Sequence, residues 1–492
     1  MFGMIMSTQD SYKETKEILN VTVFNYASIV NEKNKNNIFS YIFLKSNEYS
    51  EPIMKDYILL FNGIKYNSDI SENKFVSEII EMKIFNLNNK NCICDCDIFQ
   101  DIEKYNENNY LWDKVNNNFE NPKNIRFDIG LELKFIHEIY NEINKDIADY
   151  STILFYKNFI YFFKDDIGKK SLGFSINNGI TVSSFDFENE VDPSFLYIYS
   201  NTAKQLFRTK KFDFYFSILK NSTQNIFLEN ETNYVNIIEN QLISSMRNFN
   251  IKSDCVVFFS GGIDSMILVI ILNQILPENV CIYLINTSFL GDKKQFDRKM
   301  GILAFKELKS NYKNRKFIFI ENNIDNENIL KNIKIIKNLI FPKKTPMDLN
   351  IGMTLFFTAK EASKFSPNCF VGTGADELFG GYKKFRKDFT KLKSMIFDEV
   401  SGIWDRNLGR DDRLLSYFHI EPFFLFLDKN LIEISLQLPE DMLINQNSQI
   451  YGNKYILRKI LIKHGFNRVA GLIKKAMQFG SGAYKVSSLI FK

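Results

Sequence analysis

The chain has 492 residues, 45 % of them hydrophobic, with 48 Phe and 23 Tyr; that is enough for two or more domains with full cores and excludes a disordered polypeptide. Its 62 basic and 58 acidic residues leave a formal net charge of +4, so no strong field for nucleic acid follows and no nucleic-acid partner is expected. Neither a signal peptide nor an unbroken apolar span of membrane length is found, so no membrane partner is expected and the expected compartment is the cytosol.

Taken in chain order, residues 1–205 read as a strand-rich domain with short apolar runs such as Ile58 to Phe61 and Thr152 to Tyr156. The Asn-rich stretch at about 86–124 lacks periodicity and reads as an insertion. Cys92, Cys94 and Cys96 crowd together there, without zinc-type Cys-x-x-Cys spacing or a nearby His, and read as reduced thiols rather than a metal site. Residues 206–229 read as a linker, and 230–492 as the second domain. Its first helix carries Tyr234, Ile238, Leu242 and Met246 on one face. From Cys255 the pattern alternates. Strands are expected at Cys255 to Phe259, Cys281 to Asn286, Phe317 to Glu321 and Cys369 to Gly372, with helices between them and a mostly helical tail from Phe385. Such alternation predicts an α/β, doubly wound parallel sheet with helices on both faces.

Two loops carry the chemistry. The first, Ser260-Gly261-Gly262-Ile263-Asp264-Ser265, joins an apolar strand to the apolar helix Met266 to Leu276, which Pro277 stops. A Gly-Gly turn there aims backbone N–H groups and a helix N-terminus at one point, which favours an anion, most naturally a phosphate chain. The serines add hydroxyl donors, and Asp264 can hold a magnesium ion on the phosphates. The plainer reading is a tight turn of small residues. The second loop, Thr373-Gly374-Ala375-Asp376-Glu377-Leu378-Phe379-Gly380-Gly381-Tyr382, again empties a strand into glycines and a helix start, now with two carboxylates. Here the plainer reading is a helix cap. If the two strands are neighbours in a parallel sheet, Asp264 and Asp376 can share a metal, because ligands of such sheets bind at the carboxyl ends of strands.

Together these loops resemble the synthetase domain of asparagine synthetases, within the PP-loop ATP pyrophosphatase group. The likeness continues through Asp297-Arg298, the string RNLGRDDR at 406–413, Glu421, Phe426-Leu427-Asp428 and KKAMQFGS at 474–481, and the two strings are closest to the asparagine synthetase domain-containing protein 1 group. It covers about 230–492 well. It implies a PP-loop (adenine nucleotide hydrolase-like) fold, with ATP and magnesium as ligands. Ser260, Gly261, Gly262, Ile263, Asp264, Ser265 and Gly374 would bind phosphates, while Phe259, Thr287, Val371 and Gly372 would frame the adenosine. Asp264 and Asp376 would hold magnesium, and Asp376, Thr373 and Lys475 would stand at the catalytic positions. Arg298 reads either as a structural or substrate-facing charge or as a helix-surface residue.

For the N-terminal part the resemblance is weaker and implies an α+β, N-terminal-nucleophile-type sandwich, a degenerate type 2 glutamine amidotransferase. That chemistry uses a Cys after the initiator Met, and Phe2 stands there. Asn62-Gly63 matches the family, but the following Glu is Ile64 and the Asp that would hold the glutamine amine aligns with Lys74. Lys164-Asp165-Asp166-Ile167-Gly168-Lys169-Lys170 keeps the fold signature. An unrelated β-rich domain is the other reading. The purified protein should therefore release no glutamate from glutamine above background, and a glutaminase rate sensitive to thiol alkylation would overturn this.

Three departures touch the synthetase part. Family members carry a Glu, a proton-handling group, between the two glycines of the second loop, where this chain has Thr373. The family's Arg two positions after Glu421 is Phe423, and a Lys near the C-terminus aligns with Ala476, beside Lys474 and Lys475. The expectation is an asparagine-synthetase-like ligase. It would adenylate a small carboxylate such as aspartate, release pyrophosphate and form an amide with ammonia or another amine. The rival is a non-catalytic relative that keeps the fold and still binds ATP. A PP-loop enzyme acting on transfer RNA is disfavoured by the near-neutral charge.

Overall fold

A computed structural model gives the backbone of strands within residues 4–65 and describes most residues of 135–211, 226–289, 295–447 and 452–490. Phe2, Lys74, the Asn-rich stretch 86–124 with its three cysteines, and the segment 473–476 that contains Lys474, Lys475 and Ala476 lie outside the described residues. The chain divides after Phe214 into two compact units.

Among the described residues, the first unit holds two antiparallel six-stranded sheets. Strand alternation decides which side chains face which layer. Ile153, Phe155, Ile160, Phe162, Tyr197 and Tyr199 point to one face and share a core with Phe174, Ile180 and Val182 of the other sheet. Their neighbours Leu154, Tyr156, Tyr161, Phe163, Leu196 and Ile198 point the opposite way and pack on Phe135, Ile136, Ile139, Tyr140 and Ile143, within a helical stretch. The layers are helix, sheet, sheet. The edge strand is Gln205–Lys210, paired along its whole length with Phe195–Ser200, so the first residues of the segment expected as a linker from Leu206 are part of a strand. The Lys164–Lys170 string is a tight turn. The buried Asp165 carboxylate accepts from the N–H groups of Ile167 (2.9 Å), Gly168 (2.8 Å) and Lys169 (3.0 Å), and Lys169 pairs with Asp149 at 2.7 Å.

The second unit is built on a five-stranded parallel sheet. Its strands in chain order are Cys255–Phe258, Ile282–Phe289, Phe317–Ile324, Asn368–Phe370 and Glu421–Phe423. In space the order is third, second, first, fourth, fifth, and every neighbouring pair is parallel. The direction of winding reverses between the first and fourth strands, the position where open α/β sheets bind ligands. The first strand is followed by helix Ile263–Ile275, whose residues Met266 through Leu272 are all buried; a helix apolar on every side belongs inside a core. It starts three residues before the expected Met266, because Ile263, Asp264 and Ser265 form its first turn. Helix Glu231–Asn248 packs against it, with Tyr234, Ile238, Leu242 and Met246 buried as their spacing predicts. Helices Phe296–Asn311 and Pro346–Ala362 pack on the second and third strands. Among the described residues no helix is long and apolar enough to cross a membrane.

Candidate functional site

The first strand ends in the Ser260-Gly261-Gly262 turn. Gly261 has φ +77°, and a Cβ there would lie 2.5 Å from the backbone of Met300 and Gly301, so the turn is pressed against the start of helix Phe296–Asn311. Ser260 Oγ accepts from the Gly262 N–H at 3.2 Å, and Ser265 Oγ donates to the Gly262 carbonyl at 3.0 Å. Gly262 is the N-cap of the helix and supplies no side-chain cap. The N–H groups of the first turn are therefore left for an incoming acceptor.

The fourth strand lies directly beside the first, with Val256 opposite Cys369 and Val257 opposite Phe370. The second loop therefore emerges next to the first. Gly374 takes φ +97°, and the four-residue helix Ala375–Leu378 places Asp376 in its first turn. The two carboxylates meet at one cation. Lys454 Nζ lies 2.5 Å from Asp264 Oδ1 and 2.6 Å from Asp376 Oδ1. Lys454 is buried and takes φ +56°, an uncommon backbone state for lysine. Its own N–H donates to the Phe379 carbonyl at 3.2 Å, and Asn453 Nδ2 donates to the carbonyls of Gly380 (2.5 Å) and Tyr382 (3.3 Å). The glycine pair of the second loop makes this approach possible, since a Cβ on Gly381 would sit 2.0 Å from Asp376 Oδ1 and 2.6 Å from Lys454 Cε. Burial alone would lower the Lys454 pKa, but the two aspartates outweigh it and hold it above the usual lysine value.

These groups line a cavity of about 840 Å³, within the range of small-molecule sites. Phe259, Ser260, Gly262, Ile263, Asp264, Ser265, Thr287, Val371, Gly372, Thr373, Gly374 and Asp376 all border it; Gly261 does not, and acts through the shape of the turn. Thr287 is fixed by Thr358 Oγ1 at 2.7 Å and Asn322 Nδ2 at 3.0 Å. Glu377 is buried, accepts from Tyr382 at 2.6 Å, and its carboxyl is pushed up by burial and by Asp376. Among the described residues no cluster of three or more metal-ligating side chains exists. A magnesium ion bound through one or two carboxylates plus substrate phosphates needs no such cluster, so Asp264 and Asp376 fit that ion.

Arg298 corrects the surface reading. It is 1 % exposed and does not border the cavity. Its guanidinium donates to Asn286 Oδ1 (2.8 Å), the Asn286 carbonyl (2.9 Å), the Asn322 carbonyl (3.2 Å) and Glu321 (2.6 Å), tying together the ends of the second and third strands. Phe423, in the place of the family's Arg, does not border the cavity either; it stacks on Phe370 (5.1 Å between rings) and packs at a tilt against Phe249 (4.8 Å) in the core. Lys475 lies outside the described residues, although Leu472 and Met477 on either side of its segment border the cavity. Lys454 and Asp411 are cavity residues to which the sequence reading gave no chemical role, and Glu377, named there as a second-loop carboxylate, also borders the cavity.

Comparison with known proteins places the chain. Residues 251–401 match the family described as Asparagine synthase. An asparagine synthetase domain-containing protein of Saccharomyces cerevisiae is 28 % identical over 373 residues, 67 % of this chain and 69 % of that protein. Human asparagine synthetase domain-containing protein 1 is 29 % identical over 298 residues, 48 % of this chain and 46 % of that protein. A glutamine-hydrolyzing asparagine synthetase of Bacillus subtilis is 27 % identical over 158 residues, 30 % of this chain and 23 % of that protein. The chain thus spans about two-thirds of the yeast relative and about half of the human one. The match to the asparagine synthase family thus lies within the second unit, and the chain is similar in sequence to proteins of the asparagine synthetase domain-containing protein 1 group.

Proposed function

We propose that the protein is an ATP-dependent carbon–nitrogen ligase that adenylates a small carboxylate, with release of pyrophosphate, and then forms an amide with ammonia or another amine. The observation that carries this reading is the meeting of Asp264 and Asp376 on a single ammonium, at the carboxyl ends of two adjacent parallel strands. Pyrophosphate is the leaving group of such a reaction, so donors and positive charge must gather on the β- and γ-phosphates. The N–H groups after Gly262, the hydroxyl of Ser260 and Lys454 would supply them, with the Ser265 hydroxyl bracing the turn through the Gly262 carbonyl. Asp264 and Asp376 would hold magnesium, which neutralises phosphate charge. Val371 and Gly372 border the cavity on the same loop as Asp376, which supports an adenosine lying along the sheet's edge toward Thr287. The strand order supports a doubly wound, PP-loop-type fold. The two-sheet unit with its covering helix supports a scaffold of the N-terminal-nucleophile type, with Phe2 where a nucleophile would stand, so the nitrogen would come from outside the chain. The proposed compartment is the cytosol.

The decisive assay is pyrophosphate release from ATP–magnesium with a panel of carboxylates, L-aspartate first, and ammonium as acceptor. Silence with every pair would favour a scaffold that has kept the fold. Asp264→Asn separates metal binding from helix capping, because Asn caps a helix about as well as Asp. The variant should bind ATP–magnesium at least about tenfold more weakly, equivalent to about 1.4 kcal/mol, and lose less without magnesium. Calorimetric titration of both proteins with and without the ion reads this, and four equal affinities would contradict a metal role.

A further inference from the structure

Resting on the ligase reading, we propose that Asp411 is the general base of the amide-forming step, taking the proton that the second loop, with Thr373, cannot take. Asp411 belongs to helix Gly409–Ser416, is 5 % exposed and borders the same cavity as the two glycine turns. One side of its carboxylate is anchored, since Oδ1 accepts from Arg410 Nε at 2.9 Å and from Arg410 Nη2 at 2.8 Å. The other oxygen is lightly held. Its hydrogen bond among the described residues is from the Thr373 hydroxyl, at 3.5 Å, the outer limit of such a bond.

Four other carboxylates around the cavity are held as well, and what sets Asp411 apart among the described residues is its contact with the Thr373 hydroxyl. Asp264 and Asp376 share Lys454. Asp348 accepts from Arg410 Nη1 at 2.8 Å and from the Thr345 hydroxyl at 2.5 Å. Glu377 accepts from Tyr382 and from Asn407 Nδ2. Position along the loop points the same way. Val371 and Gly372 precede Thr373 and Asp376 follows it, so with ATP bound as proposed Thr373 would lie between the nucleoside end and the metal end, near the α-phosphate on which an acyl adenylate would form. Burial pushes the Asp411 carboxyl above its ordinary range, while Arg410, the Thr373 hydroxyl and Arg413 pull it back. In the step itself the lone pair of ammonia forms the C–N bond to the acyl carbon. The bond from that carbon to the phosphate oxygen breaks, and AMP leaves with the electron pair. The proton released by the new C–N nitrogen goes to Asp411 Oδ2 and from there to solvent.

The test separates the two half-reactions. Carboxylate-dependent exchange of radiolabelled pyrophosphate into ATP reads adenylation, and AMP formation with ammonium chloride or hydroxylamine reads amide or hydroxamate formation. Asp411→Asn keeps an acceptor for Arg410. It should leave pyrophosphate exchange within about threefold of wild type and lower the ammonium-dependent rate by about 10² or more. Hydroxylamine, uncharged and strongly nucleophilic at neutral pH, should be hurt far less. Adding Thr373→Glu to Asp411→Asn should restore much of the ammonium rate, because the new carboxylate enters the space that Thr373 and Asp411 share. Normal ammonium rates in Asp411→Asn would overturn the proposal. So would equal losses of exchange and amide formation, which mark a purely structural residue, and so would failure of the Glu rescue in a variant that still exchanges pyrophosphate. A wild-type protein that exchanges no pyrophosphate with any carboxylate would instead overturn the ligase reading, and the role of Asp411 with it.

Discussion

Lys454→Met should lower the stability of the second unit by about 2 to 3 kcal/mol, and magnesium should restore part of the loss. Removing one partner from a buried ion pair costs about 3 to 5 kcal/mol when the charges left behind are sealed from water. The side chains of Asp264 and Asp376 are 26 % and 22 % exposed, so water recovers part of that cost. In the variant the two carboxylates face each other without the ammonium, and a divalent cation is the natural replacement. Millimolar magnesium should therefore raise the melting temperature of the variant clearly and that of the wild type little. Because the Lys454 pKa is held above its unfolded value, the stabilisation is complete below the ordinary lysine pKa and fades only as pH rises through the higher folded value. Across the neutral range the difference between the two proteins should stay flat. A variant with wild-type stability and no magnesium response would show that the shared ammonium contributes nothing.

Gly261→Ala should cost about 2 to 5 kcal/mol and should remove ATP–magnesium binding. Two penalties add. The left-handed backbone costs a residue with a Cβ about 1 to 2 kcal/mol. The new carbon would also lie 2.5 Å from the backbone of Met300 and Gly301, and overpacking against atoms that cannot rotate away costs about 1 to 3 kcal/mol. Gly262→Ala is the internal control. Gly262 has φ −82°, and its added Cβ would meet only the Ser260 hydroxyl at 3.3 Å, so that variant should lose about 1 kcal/mol or less. Thermal melts of the two alanine variants should differ by several degrees, with Gly261→Ala lower. The reverse order would mean that the turn is not braced by helix Phe296–Asn311.

The adjacent residues Gly261 and Gly262 show what could be read from the sequence and what could not. A glycine pair between an apolar strand and an apolar helix announces the turn, because run length and apolar content are local properties. The same locality made the strands at Cys255, Phe317 and Cys369 readable to within a few residues, and the buried face of helix Glu231–Asn248 readable residue by residue. Nothing local marks Lys454, whose partner Asp264 is 190 residues away. The one hint was Gly380-Gly381, which signals that something comes close but not what. Arg298 was ambiguous for the same reason. An arginine in a helix reads as surface until the carbonyls it clamps are seen. Phe423 reads as a lost charge in the sequence, and in the fold it is a ring stacked on Phe370 and tilted against Phe249.

The long separation between Lys454 and its two aspartates has a consequence for how the unit is made. Contacts between distant parts of a chain form late, because the intervening loop must first be closed. During synthesis both aspartates leave the ribosome well before Lys454 does. A nascent chain halted before residue 454 would hold both glycine turns, yet its two facing carboxylates would repel each other across the edge where the strands should close. Only the arrival of the Asn453-Lys454 pair supplies the countercharge and the clamps on Gly380 and Tyr382 that hold the edge together. Completion of the site thus waits on a residue made 190 positions after Asp264.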